Sequence, residues 1–257
     1  MELIMTPDTS QTEQAADDDS PVRTSGQTRT DAGNVDDRSA VVGNERMTAL
    51  AGAVLLVLIL VELVTSASLR TLLSAHVFVG VLLAGPLAVK IGSTGYRFLR
   101  YYTRSPAFVR RGPPRLALRL LAPLLLTTTL VVIGSGIGLV LTGPRYAGLL
   151  LPLHGFSVLV WLPLIAVHVF AYIWRVPRLV ADDWSKSSAE HAPGRERRLG
   201  MNLGTLMVGA IAAILLLPVA VPWIAWSQTN GTIPAPMIVG VLVAILALLA
   251  TRPLRWR

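Results

Sequence analysis

The chain of 257 residues is 53% hydrophobic and only 15% charged, against roughly 25% charged in an average soluble domain. That excess excludes an ordinary water-facing globule and leaves lipid as the natural solvent. The net charge of +8 does not point to nucleic acid, because the bases sit in short loops between apolar runs rather than on one basic face.

Residues 1–46 hold ten of the fifteen acids and four of the twenty-three Lys and Arg. The segment is polar, includes the run Asp17, Asp18, Asp19, and lacks apolar periodicity. It cannot bury enough surface to offset its ordering entropy and is expected to be a disordered, acidic, cytoplasmic segment. It has neither the basic start nor the early apolar stretch of a signal peptide.

Six apolar runs follow, at about 48–69, 71–94, 117–142, 149–174, 202–226 and 236–251. Each is near the length that crosses a hydrocarbon core of roughly 30 Å as helix. The expected fold class is therefore an all-α membrane protein with six transmembrane helices. A core over 47–178 would form a four-helix bundle. A cytoplasmic loop over 179–201 would lead to two further helices and a basic tail over 202–257.

The loops set the orientation. Those between runs two and three (counting Lys90 and Arg119 at the flanking run ends) and between runs four and five, with the tail, carry eight, six and three Lys and Arg; the opposite side has only Arg70 and Arg145. Seventeen against two predicts a cytoplasmic location for both termini by the positive-inside rule. Tyr101, Tyr102, Trp174 and Trp256 fall at the inner interface, and Tyr146, Trp223 and Trp226 at the outer one, as aromatic belts do. Twenty-one arginines against two lysines, with a bias to Ala, Leu, Val and Gly, fit a bacterium of GC-rich genome and its cell membrane.

Ionisable residues within apolar runs are costly and read as functional by default. Here they are Glu62, His76, Lys90, His154 and His168, with Arg119 at the rim. Runs two and four cross in the same direction. His76 is about six residues into run two and His154 about five into run four. Two histidines at equal depth on parallel helices are placed to ligate one iron from opposite sides, as axial imidazoles do in a low-spin haem. His154 and His168 are fourteen residues apart, and so are His76 and Lys90. Fourteen residues are nearly four turns, about 21 Å of rise, so each pair shares a helix face. This predicts an outer level, His76 with His154, and an inner level, Lys90 with His168.

Gly80, one turn after His76, and Gly134, Gly136 and Gly138 on run three would permit close approach to a flat macrocycle. Plain helix packing explains small residues equally well. Buried histidines are also commonly structural, so spacing alone leaves haem and hydrogen-bonded core histidines both open. Glu62 is expected to pair with Arg70, with the alternative that it orients a histidine ring. Without cysteine, thiolate-held iron–sulfur clusters and haem attached through C-x-x-C-H are excluded.

Residues 48–178 resemble the bacterial transmembrane cytochrome b family, whose four-helix haem-binding anchors serve hydrogenases, formate dehydrogenases and molybdenum oxidoreductases. The resemblance lies in Glu62-Leu63-Val64-Thr65, His76-Val77-Phe78-Val79-Gly80, Lys90-Ile91-Gly92-Ser93-Thr94-Gly95-Tyr96-Arg97, Arg100-Tyr101-Tyr102, Gly112-Pro113-Pro114, His154-Gly155-Phe156 and Val167-His168-Val169. It implies electron transfer through haem b, exchanged with an extracytoplasmic redox partner or a membrane quinone, in a subunit rather than a complete enzyme. Di-haem relatives supply two histidines from each of two helices. Here Lys90 stands at one of those four places, so one haem is expected, with a second ligated through His168 as the alternative. Two other classes remain open: a haem-free transporter or assembly scaffold using the intramembrane His and Lys as a proton or substrate path, and a haem enzyme with an exchangeable coordination position.

Overall fold

The computed structural model describes residues 25–110, 112, 116–184, 194–230 and 235–251. Among them every regular element is helical: α1 (Ser25–Ser66), α2 (Leu69–Leu82), α3 (Ala84–Tyr102), α4 (Pro106–Arg110), α5 (Leu116–Thr142), α6 (Leu150–Tyr172), α7 (Val176–Trp184), α8 (Arg195–Leu216), α9 (Val221–Asn230) and α10 (Ala235–Thr251). Short 3₁₀ turns at Pro144–Tyr146 and Pro218–Ala220 complete the set.

Five segments are long and apolar enough to cross a membrane: Ser39–Ser66, Leu69–Tyr102, Leu116–Thr142, Leu150–Tyr172 and Arg195–Leu216. Their outward surfaces are leucine, valine and isoleucine; Leu116, Leu120, Leu149, Val208 and Leu215 are all well exposed. In water this exposure would be untenable, whereas in lipid it is the expected state. The sixth run gives α10 of only 17 residues, a length of about 25 Å that falls short of the five.

The polar segments are more helical than expected. Residues 25–46, expected to be disordered, are helical. The end of this stretch docks on the bundle: Asn44 Nδ2 donates to the Ser93 carbonyl at 3.1 Å, Arg175 reaches Glu45 at 3.4 Å, and Arg46 is buried. Residues 1–24 lie outside the described residues, as do 185–193 of the cytoplasmic loop and 252–257 of the tail. That loop, expected over 179–201, is helical over the last residues of α7 and the first of α8.

The second run is not one straight helix. It breaks at Leu83, between α2 and α3. Pro86 supplies the cause: it lacks an N–H, and its ring crowds the carbonyl four residues back, that of Leu82. A neighbour fills the bend. A Cβ on Gly209 of α8 would lie 2.8 Å from the Leu82 oxygen, and one on Gly85 would fall onto the Thr205 carbonyl of α8. Backbone meets backbone at this crossing, and Pro86 is sealed within it. The same pairing recurs in α6. Pro163 frees the Leu159 carbonyl, and Gly240 of α10 approaches there, its Cβ position 3.5 Å from Leu159 Cα.

The fifth run, expected as one helix to 226, stops at Leu216. Pro218 ends α8, and the chain turns through Pro218–Ala220 into α9. Trp223 of α9 donates its indole N–H to the Leu139 carbonyl at 2.6 Å, which also accepts the Gly143 N–H at 3.0 Å, and so ties α9 to the end of α5.

The helices pack most densely within two layers. One contains α1, the bent α2–α3 pair and α8; the other contains α5, α6 and α10. The layers meet along α2 and α5, while α2 and α6 face each other across a slot lined from both sides.

Candidate functional site

The slot lies near the end of the bundle where α1 turns into α2 and α5 leads into α6. His76 is on α2 and His154 on α6, and both line the slot. Their ring centroids are 6.4 Å apart with planes at 79°.

Each ring is fixed through its Nδ1. For His76, the Glu62 carboxylate of α1 lies 2.9 Å from Nδ1 and the Ser66 hydroxyl 3.1 Å away. That hydroxyl already donates to the Glu62 carbonyl at 2.7 Å, so both neighbours act as acceptors. For His154, the Val132 carbonyl of α5 lies 3.1 Å from Nδ1. Ser135 Oγ is also 3.1 Å away and donates its own proton to the Val131 carbonyl at 2.6 Å. A carbonyl and a carboxylate can only accept. The proton of each imidazole is therefore on Nδ1, which leaves both Nε2 lone pairs for something else. Neither Nε2 has a protein hydrogen bond among the described residues.

Glu62, expected to pair with Arg70, is instead spent on His76. Two of the four glycines make this geometry fit. A Cβ on Gly80 would stand 3.2 Å from the Glu62 carboxylate, and one on Gly136 would stand 3.2 Å from His154 Cε1. Gly138 packs on Leu150, and Gly134 has nothing within 4 Å of its Cβ position. So Gly80 and Gly136 border the site, while Gly134 and Gly138 do not touch either histidine.

The walls of the slot are apolar, from Ile59, Val77, Ile133, Ile137 and Val158, and the enclosed room is about 120 Å³. Trp161 forms part of its inner boundary, its indole N–H donated to Thr129 at 2.8 Å.

At the inner level Lys90 and His168 each have partners of their own. The Lys90 ammonium donates to the Thr48 carbonyl of α1 at 2.9 Å and fits against Gly52. Thr48 in turn bonds the Ser93 hydroxyl at 2.8 Å. His168 stacks on Tyr172 at 5.1 Å. Lys90 lies near enough for its charge to act on the His168 ring, but no hydrogen bond joins them among the described residues. The backbone at Leu83 keeps helical angles, so Pro86 interrupts the hydrogen bonding there without unwinding the chain.

Sequence reasoning missed Ser66, Ser135, the Val132 carbonyl and Trp161. Ser135 sits within the glycine run and Trp161 is seven residues, two turns, beyond His154, so both were within reach. A backbone carbonyl has no sequence signature.

The donor set can be tested against haem. A metal–imidazole bond is about 2.0–2.1 Å long and a ring nitrogen sits roughly 1.1 Å from its own centroid, so two axial imidazoles hold their centroids about 6.2–6.4 Å apart. The observed 6.4 Å is compatible with that spacing. No group of three or more His, Cys, Asp or Glu able to hold a bare ion occurs among the described residues. A macrocycle is larger than the enclosed room, so admitting it requires the slot walls to part.

The fold defines an all-helical, multi-pass membrane protein. Compared with known families, with curated proteins and with solved structures, the chain has no match.

Proposed function

We propose that the protein is an electron-transfer subunit that holds one haem b between α2 and α6, with His76 and His154 as its axial ligands. The supporting observation is the tautomer and spacing of the two rings: Nδ1 is protonated on both, and the centroids stand at a bis-imidazole distance. A metal-bound histidine characteristically donates its other N–H to a carboxylate or carbonyl, and Glu62 and Val132 are such acceptors. Bound there, haem would supply reversible one-electron chemistry at iron. The chain's own residues fix both rings through Nδ1, leave both Nε2 atoms to hold the iron, and surround the rings with apolar walls. With both rings on the iron, transfer of electrons would be favoured over binding of oxygen.

The same proposal includes six crossings, with α10 as the sixth. It places both termini and the loops 95–116 and 175–200 in the cytoplasm of a bacterial cell, from the seventeen-to-two charge bias. The site then lies in the outer leaflet, within reach of an extracytoplasmic redox partner or a membrane quinone.

One observation favours a second reading, a haem-free transporter or scaffold. Asn44, Thr48, Lys90 and Ser93 form a continuous polar chain between α1 and α3, of the kind that lines proton or substrate paths. A reduced-minus-oxidised spectrum with haem quantified per chain separates the two. Protein purified after expression with ample haem should show a low-spin b-type spectrum at one haem per chain. Colourless protein would defeat the cytochrome reading.

A further inference from the structure

The turn from α3 to α4 has a feature unrelated to haem. Arg104 adopts φ of +61°, the only positive φ at a non-glycine position among the described residues. The Ser105 N–H donates to the Arg100 carbonyl at 3.0 Å and the Arg104 N–H to the Tyr101 carbonyl at 3.1 Å. This pair of bonds is the Schellman helix ending, in which the residue after the cap is left-handed and is ordinarily glycine. A side chain with a Cβ is strained there. A cation near a helix C-terminus is favoured by the dipole, which accounts for a basic residue in this turn but not for placing it at the one strained position. Strain of this kind is held where the side chain is needed.

Arg104 faces a shallow pocket of about 610 Å³ lined by Tyr101, Tyr102, Arg104, Pro106, Val109 and Arg110. Two guanidinium groups and two phenols line it, with no acidic side chain among the described lining residues. Arg119, early in α5, donates to the Tyr102 oxygen at 3.3 Å, which brings in a third cation and leaves the phenol O–H to donate. Every polar side-chain group in the lining can therefore donate, as a phosphate requires, since phosphate oxygens accept and arginine forks match them. The surroundings are apolar: Phe98, Leu99, Val109 and Leu116 are exposed beside this turn. The pocket thus sits where basic loop meets lipid-facing helix.

We propose that this turn binds the headgroup phosphate of an anionic phospholipid, with Arg104 and Arg110 on the phosphate and the acyl chains along the exposed apolar side chains. Basic pockets at the inner ends of membrane helices recognise anionic headgroups in this way. The inference does not depend on the haem.

Native mass spectrometry of the full chain in detergent tests it, with phosphatidylglycerol, phosphatidylcholine of the same acyl chains, and inorganic phosphate as three probes. Phosphatidylglycerol should be retained in preference to phosphatidylcholine. Arg104→Gly and Arg110→Ala should each weaken that retention about fivefold, the equivalent of roughly 1 kcal/mol per arginine near the surface. Arg104→Gly should also unfold at a temperature no lower than the parent, because glycine suits the turn better. Arg145→Gln, at the other end of the bundle, should leave retention unchanged. Equal retention of the two lipids, or undiminished retention in both arginine variants, would overturn the proposal. Displacement of the lipid by inorganic phosphate would assign the pocket to a free anion instead.

Discussion

Replacing Gly85 by alanine should loosen the α3–α8 crossing, and Gly92→Ala on the same helix provides the control. A Cβ at Gly85 would fall onto the Thr205 oxygen and lie 2.8 Å from its carbon and 3.4 Å from Leu206 N, whereas one at Gly92 meets nothing within 4 Å. The obstructing atoms are backbone, so no side chain can swing aside; the helices must separate. Overpacking of this kind costs about 1–3 kcal/mol, while glycine to alanine within a helix gains up to about 1 kcal/mol. Gly92→Ala keeps only the gain. The two variants should therefore differ by roughly 1–3 kcal/mol, with Gly85→Ala the less stable. Reversible unfolding in mixed detergent–dodecyl sulfate micelles measures the gap. Equal stability of the two variants would refute the close crossing.

Three further outcomes are expected. His76→Ala and His154→Ala should each abolish the low-spin spectrum in folded protein, whereas His168→Ala should leave about one haem per chain; haem quantification decides both. Glu62→Gln should keep the haem and raise its midpoint potential by about 40–60 mV, because a charge-assisted hydrogen bond, roughly 1.5–3 kcal/mol, becomes a neutral one of about 0.5–1.5 kcal/mol, and 59 mV corresponds to a tenfold change for one electron. Potentiometric titration with an unchanged potential would remove Glu62 from that role. Single cysteines at Arg110→Cys and Lys186→Cys should react with an impermeant maleimide only after cells are opened; labelling of both in intact cells would invert the topology.

The membrane-crossing helices were legible because each is a run of apolar residues, and hydropathy measures that directly. Their breaks were not. Pro86 and Pro218 are visible in the sequence, but whether a proline bends or ends a helix depends on what packs there, and Gly209 lies far along the chain from Pro86. The helical stretch of residues 25–46 was hidden because polar composition argues for solvation, while its last residues hold their places through contacts to Ser93 and Arg175. The pairing of His76 with His154 followed from equal depth on parallel helices, a rule that survives a bend below them. Lys90 was placed beside His168 by the same counting, but its bond to the Thr48 carbonyl was not legible, because a backbone acceptor on another helix leaves no mark in the sequence. Glu62 was seen but assigned to Arg70, since sequence proximity to a cation says nothing of which way a carboxylate turns.

The order of the layers along the chain bears on biogenesis. The layer of α1, α2 and α3 is completed by α8, which is synthesised after α5 and α6. Both histidines have therefore left the ribosome before the helix that closes on the Pro86 bend exists. During that interval α2 lacks its backbone partner, and the slot beside it has its ring-bearing walls but not its final clamp. For the haem proposed above, entry through a parted slot would be easiest at that stage. The arrival of Gly209 against Leu82 would then act as a latch on the bend, set after the histidine-bearing helices are made rather than before.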